Sequence, residues 1–410
     1  MSEKDCSKNN LFILTIGQLC SVFCTFMFDF AISLFVLDIG NTNTQYSVVI
    51  VFGMVSRIII NLFGGVFVDR YNKKKILVGC DLISGIIVTF ALVLCMKDNF
   101  TYAGIMIITV LLNAANSMFG LSFMSAVPNL FKGEKMLMAG NSISQTIQAV
   151  SAVLGPVIGS ILYLKYGIKL IIIINLISFF GTGILEMFLT YEGKKEEHEN
   201  YLTSLKQGYQ YIGRHSNLKN LCIFYALFQT ILAPLLSVLL PLVVYVELEL
   251  SSVSLGAIQA AYAVGVLVGA SLASAKKDNM IILKNFFKYI RLEGLFIILW
   301  FVLGIPFVVS LGAIPKTIIF SVIVLVLSTV NMFLTIPLIT YFQSSITENM
   351  RGKLFGVITT ALTIGTPLGG MILGGLSDSV NWMILVILSG IVLIILSLLF
   401  SKKINFSTEE

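Results

Sequence analysis

Charge is what this chain lacks. Only 12% of its residues are Asp, Glu, Lys or Arg, against 57% hydrophobic, whereas soluble domains carry roughly a quarter charged residues. So little charge cannot cover a water-facing surface, and a soluble globular protein is excluded. Histidine is nearly missing, with only His198 and His215. No HExxH or cysteine cluster accompanies them, so the sequence offers no metal site. There is no GxxxxGK[ST] run, which excludes a P-loop ATPase. The six cysteines stand at 6, 20, 24, 80, 95 and 222 without a CxxC pair, and read as apolar thiols within or beside apolar segments. No polar stretch is long enough for a catalytic domain, and acids within apolar segments are too sparse for an intramembrane active site. The chain is therefore expected not to be an enzyme, and to use no cofactor or metal.

What is present is apolar sequence in long runs, with a mean hydropathy of +0.94. Runs beyond about 18 residues read as spanning helices, and alternating segments of about 10 residues, the mark of membrane strands, are absent. Twelve spans are expected, with limits good to about 2–4 residues: 11–37, 45–68, 76–96, 101–124, 137–164, 169–189, 218–246, 252–274, 282–308, 316–342, 352–376 and 381–401. The first is too long for a signal peptide, lacks a small-residue cleavage site and runs directly into a second span. The fold class is an all-α membrane protein of twelve transmembrane helices in two pseudo-symmetric six-helix bundles.

Cations set the orientation. With the N-terminus inside, only Lys97, Lys165, Lys169 and Lys316 of the 27 Lys and Arg fall on outside loops, and Arg57 lies within a span. Every inside loop carries cations. The net charge of +6 is then a positive-inside bias plus attraction to anionic lipid, and needs no nucleic-acid partner. The expected location is a bacterial cytoplasmic membrane, crossed many times, with both termini cytoplasmic.

The longest polar interruption, residues 190–217, divides the spans six and six. The expected domains are an N-terminal six-helix bundle at 1–189, a central cytoplasmic loop at 190–217 and a C-terminal six-helix bundle at 218–410. Internal duplication fits two comparisons. Gly155-Pro156 in span five is matched by Thr366-Pro367-Leu368-Gly369-Gly370 in span eleven. The charged turn after span two has a weaker echo after span eight, where Gly269 precedes Lys276 and Lys277 without an acid and arginine between.

That turn carries the most specific pattern: Gly65, Asp69, Arg70, Asn72, Lys73 and Lys74. A second pattern lies in span five, with Ser142, Ser151, Gly155, Pro156, Gly159 and Ser160. On these residues, and on helix number and central loop, the chain resembles the major facilitator superfamily over nearly its whole length. The resemblance is to twelve-helix drug-efflux members, most of all the macrolide-efflux-like branch. In that family the first pattern is Gly-x3-Asp-(Arg/Lys)-x-Gly followed by cations, so Asn72 replaces a glycine. Asn tolerates positive φ, and the tight turn is expected to survive there. The second pattern is the antiporter motif, with three of its small positions held by serine, which keeps close helix approach possible.

The resemblance implies a conformational latch at Gly65, Asp69, Arg70 and Lys73, closing the cytoplasmic side in the outward-open state. The alternative is a charge cluster that only fixes topology. Gly155, Pro156 and Gly159 are expected to break or bend helix five and admit a close neighbour, as a gate or as plain packing. Asp29 and Arg57 are the charges deep in the first two spans. At about 1.5 Å per residue they lie about 27 and 18 Å from the inner face, within reach of a long arginine. They read either as a proton-coupling or cavity charge, with Arg57 acting on Asp29, or as a structural ion pair. Asp81 reads as a near-surface structural acid or as a partner of Arg70 or another inside cation, and Glu186 and Glu293 can reach headgroups. Gln18, Asn113, Asn116, Asn141, Gln145, Gln148, Gln229 and Asn331 are candidate cavity-lining residues, because polar groups in spans avoid lipid.

The function implied is a secondary active transporter that exports amphiphilic small molecules of the macrolide type by proton antiport and alternating access. Its partners would be a small-molecule substrate, protons and membrane lipid. A siderophore, peptide or lysolipid in the same fold is the alternative. A transport-inactive receptor or scaffold would call for a soluble domain that this chain lacks.

Overall fold

The computed structural model describes residues 3–40, 42–97, 100–130, 134–191, 210–274, 279–345, 364–404 and 406. Nine helices among them are long and apolar enough to cross a membrane. The chain divides into two compact units: unit 1 holds 1–41 and 49–198, and unit 2 holds 42–48 and 199–410. Helix α2 therefore starts in unit 2 and continues into unit 1.

Unit 1 contains α1 (Glu3–Ile39), α2 (Asn43–Arg70), α3 (Lys73–Met96), α4 (Tyr102–Leu130) and α5 (Glu134–Glu186). Its largest helix contacts are α1 with α5, and α3 with α4 and α5. Helix α5 covers the expected spans 137–164 and 169–189 together. It is split at Gly167, whose φ of 66° and ψ of −169° are not helical. Glycine occupies that region without steric penalty, so the helix ends and restarts at one residue. The helix is not broken at Pro156. Proline removes one backbone hydrogen bond, and the helical run around Pro156 is retained.

The first turns of α1 brace one end of unit 1. Asn10 is 1% exposed; its Nδ2 donates to Leu130 O at 3.3 Å and Thr190 O at 2.8 Å, and its Oδ1 accepts from Thr190 N at 2.9 Å. Ile13, Leu14, Leu77, Ala126, Leu130 and Leu189 pack as one apolar cluster beside it. One side chain thus ties α1 to the end of α4 and to the chain leaving α5.

Unit 2 contains α6 (Ser216–Pro234), α7 (Ser252–Ser274), α8 (Asn279–Lys284), α9 (Phe286–Ile298), α10 (Pro306–Val309), α11 (Ala313–Ser345), α12 (Gly365–Ser377) and α13 (Trp382–Phe400). Two π-turns, Leu235–Leu239 and Leu242–Glu247, extend α6, following Pro234 and Pro241. A proline lacks the N–H of its own rung, and the ladder here shifts register by one residue, with Leu248 N donating to Val243 O at 2.9 Å. The expected span 282–308 is assembled from α8, α9 and the 3-10 segment Leu299–Gly304. Of the expected span 352–376, residues 352–363 lie outside the described residues and α12 follows.

Asn10→Ala should lower stability by about 1–3 kcal/mol, because it leaves buried backbone groups without partners. Thermal unfolding of purified protein in detergent checks this, and an unchanged midpoint would contradict the brace.

Candidate functional site

Arg57 Nη2 lies 3.5 Å from Asp29 Oδ2, and each side chain is about half exposed. The guanidinium has a second partner, since Arg57 Nε donates to Asn113 Oδ1. Asn113 is held in turn, its Nδ2 donating to Thr109 O at 2.8 Å. That orientation leaves Oδ1 facing the arginine. Gly53, one turn before Arg57 on α2, makes room for it: a Cβ there would stand 2.9 Å from Asn113 Nδ2. The site is therefore built by α1, α2 and α4 of unit 1, and Asn113, anticipated as a polar lining residue, is the third member of the charge site.

Helix α5 seats α1 beside this site. A Cβ on Gly155 would lie 2.7 Å from Phe26 Cβ and 3.2 Å from Met27 N; one on Gly159 would lie 3.0 Å from Met27 O. The two glycines bring the α5 backbone against α1 two residues before Asp29. Pro156 is buried with them. What the motif does physically here is close packing at Met27, rather than a broken helix.

A charge at the centre of a spanning helix costs roughly 2.5–3.5 kcal/mol on insertion scales. Pairing and the amide of Asn113 offset that for Asp29 and Arg57. Their open side requires water or a polar solute, because lipid would not solvate it.

The backbone of α2 carries Gly65, Asp69 and Arg70 at its end, but their side chains lie outside the described residues. Lys73 begins α3, and Asn72 caps it with φ −65° and ψ 115°, its Oδ1 accepting from Lys75 N at 3.2 Å. The expectation of positive φ at Asn72 is thus corrected: asparagine serves here as an N-cap, a role for which its side chain is suited.

The opposite end of α2 has an unanticipated carboxylate. Asp378, following α12, accepts from Asn43 N at 2.6 Å and Thr44 N at 3.1 Å, and from the Thr44 hydroxyl. Asn43 Nδ2 donates to Ser377 O at 3.2 Å. A carboxylate on unpaired N–H groups at a helix start is favourable both as a hydrogen-bond acceptor and toward the helix dipole. Residues 42–48 join unit 2 through these bonds and through Tyr46, whose hydroxyl donates to Ser237 O at 3.2 Å.

Three other acids are buried. Asp81 is 3% exposed, and its Oδ2 accepts from Thr182 Oγ1 of α5; the side chain of Arg70 lies outside the described residues. Glu186 and Glu293 are 2% and 0% exposed, so neither reaches a headgroup. Their depth along the helix was legible, but the neighbours that cover them come from other helices. Asn331 donates to Glu293 Oε1 at 2.9 Å. Gln18 is 7% exposed, and Asn116 and Gln229 are half-buried. Gln148 is exposed, and the side chains of Asn141 and Gln145 lie outside the described residues. The structure gathers Asp29, Arg57, Asn113, Gly155, Pro156 and Gly159 in one region of unit 1, and places Gln229 and Asn331 in unit 2.

The sequence profile of the Major Facilitator Superfamily matches residues 14–370, and the chain belongs to that family. It is a multi-pass membrane protein and a secondary transporter of small molecules, not an enzyme. Among the described residues no group of three or more His, Cys, Asp or Glu could hold a metal ion. The chain is similar to macrolide efflux protein A of Streptococcus pyogenes, 21% identical over 400 residues and 95% of each chain. It is also similar to a macrolide efflux protein A of Enterococcus faecalis, 22% identical over 74% of this chain and 92% of that one. Its fold is similar to a bacterial homologue of the iron transporter ferroportin in an inward-facing state. The TM-score there is 0.72 and the identity 17%, over 98% and 99% of the two chains. A nucleoside transporter, NupG, gives a TM-score of 0.73 at 12% identity over 97% and 100%.

Gly159→Leu should force Met27 away from α5 and displace Asp29, reducing transport by more than about tenfold, or ~1.4 kcal/mol of activation free energy. Leu154→Ala, on an exposed side of the same helix, should stay near wild type. Equal activity in both variants, at matched membrane levels, would contradict the packing argument.

Proposed function

We propose that the chain exports amphiphilic small molecules of the macrolide type across the bacterial cytoplasmic membrane by proton antiport and alternating access. The observation that carries this reading is the half-exposed Asp29–Arg57 pair held by Asn113. Similarity to two macrolide efflux proteins supports the substrate class. The architecture we propose is twelve spans in two six-helix bundles, 1–189 and 218–410, joined by a cytoplasmic loop at 190–217, with both termini inside.

In this mechanism Asp29 exchanges partners. While ionised it holds Arg57. A proton arriving at its open side neutralises it, weakens the pair and leaves Arg57 held by Asn113 alone. An ion pair and its protonated form differ in the position they favour for α1, and Gly155 and Gly159 carry that difference directly into α5. The change in charge is thereby tied to a change in helix packing, as alternating access requires. The latch at Gly65, Asp69, Arg70 and Lys73 belongs to the same proposal, at the inner end of α2. An anion placed on a neighbouring helix start contributes roughly 0.3–1 kcal/mol, enough to bias two states that differ by a few.

A macrolide-susceptible strain expressing the protein should tolerate more erythromycin and accumulate less of it, and a protonophore should erase both effects. Asp29→Asn should lower proton-dependent efflux by more than about tenfold, since arginine stays protonated throughout and Asp29 is the member of the pair that can exchange a proton. Efflux that persists with protonophore, or is untouched in D29N, would sink the antiport reading.

A further inference from the structure

Glu293 lies in α9 with 0% of its surface exposed. Its Oε1 accepts one hydrogen bond, from Asn331 Nδ2 at 2.9 Å, while its Oε2 is buried without a partner. Among the described residues no lysine, arginine or histidine forms an ion pair with it. Among the described residues, the titratable groups that face it are two tyrosines, Tyr225 of α6 and Tyr262 of α7. Behind Asn331 the polar contacts continue, since Thr335 Oγ1 donates to Asn331 Oδ1 at 3.3 Å and Tyr225 is hydrogen-bonded to Thr335.

The site is also tightly closed. Next to Glu293, Gly294 of α9 meets Gly390 of α13 backbone to backbone. A Cβ on Gly294 would lie 2.9 Å from Gly390 O, and one on Gly390 would lie 2.5 Å from Gly294 O. Helix α9 itself is short, running from Asn285, which is not helical, to the 3-10 segment at Leu299–Gly304. Irregular joints of this kind commonly mark hinges.

Packing gives no reason for an acid here. Glutamine would fill the same volume and accept the same bond from Asn331. A carboxylate with one bare oxygen and no cation is strongly disfavoured in such surroundings. What distinguishes glutamic acid is that it can gain and lose a proton. We propose that Glu293 is a proton-binding site of unit 2, occupied in the conformation seen here and emptied when α9 moves off α13 and admits water. Its part in coupling rests on the antiport reading above, but its occupancy by a proton does not.

The test uses the full-length protein in lipid vesicles. Infrared difference spectra between wild type and E293Q should show a protonated-carboxyl C=O band at neutral pH that disappears reversibly in alkali. Dicyclohexylcarbodiimide, which modifies protonated carboxyls in apolar surroundings, should label the Glu293 peptide and lose that label over the same pH range. This second readout needs no variant. In vesicles, the ratio of pH-gradient-driven erythromycin uptake to erythromycin exchange should fall more than about tenfold in E293Q. A carboxylate signature and no labelling at neutral pH would overturn the site. So would a protonated band that persists at every pH tolerated by the fold, together with an unchanged uptake-to-exchange ratio. If wild type shows no gradient-driven uptake, the antiport reading fails, and the infrared and labelling titrations alone decide for or against Glu293.

Discussion

The pairing of Asp29 with Arg57 is the interaction on which the arrangement of unit 1 depends. Each charge sits well inside an apolar helix, where neither is tolerable alone. Together, at 3.5 Å, they fix the rotation of α1 and α2, because both must turn the same open side toward water. Asn113 then sets the rotation of α4, since its Oδ1 has to face the guanidinium. Gly53, Gly155 and Gly159 follow from the same constraint. Gly53 lies against Asn113 itself, and Gly155 and Gly159 lie against Phe26 and Met27, beside Asp29.

Unit 2 meets the same constraint in another way. It contains a fully buried acid, Glu293, with an amide for a partner instead of a cation. An ion pair can remain charged while partly wet; an isolated acid in a closed site is tolerated when neutral. Unit 1 also holds buried acids, Asp81 and Glu186, 3% and 2% exposed, beside its half-exposed pair. Helix α2 adds a third use of a carboxylate. Its start is capped by Asp378 through two backbone N–H groups, and the anticipated Asp69 lies at its other end.

Much of this was legible in the sequence. Low charge and long apolar runs led to a multi-pass helical protein, and the scarcity of charges inside spans singled out Asp29 and Arg57. Depth counted along each helix was enough to suggest that they meet. Contacts decided by neighbours were not legible. Glu186 and Glu293 looked as if they could reach headgroups because position along a helix says nothing of what covers it. Asp81 was open between a structural role and a cation's partner, and the α5 hydroxyl that reaches it left no mark in the sequence. Asn72 was read through the glycine it replaces, whereas its side-chain oxygen made capping the better use of the position. Spans five and six part at Gly167, between their expected limits, because a single residue at positive φ is enough to turn the chain. Asp378 escaped notice because two of its partners are backbone amides, which leave no mark in a sequence pattern.

The account stands or falls on Asp29 and Arg57 acting as one unit, and a double-mutant cycle measures that directly. Proton-driven erythromycin transport would be compared in wild type, D29N, R57Q and D29N/R57Q at equal membrane levels. The account predicts that the double variant is no worse than either single one, with a coupling energy within about 0.5–3 kcal/mol. Losses that simply add would show that the two charges act independently, and would contradict it.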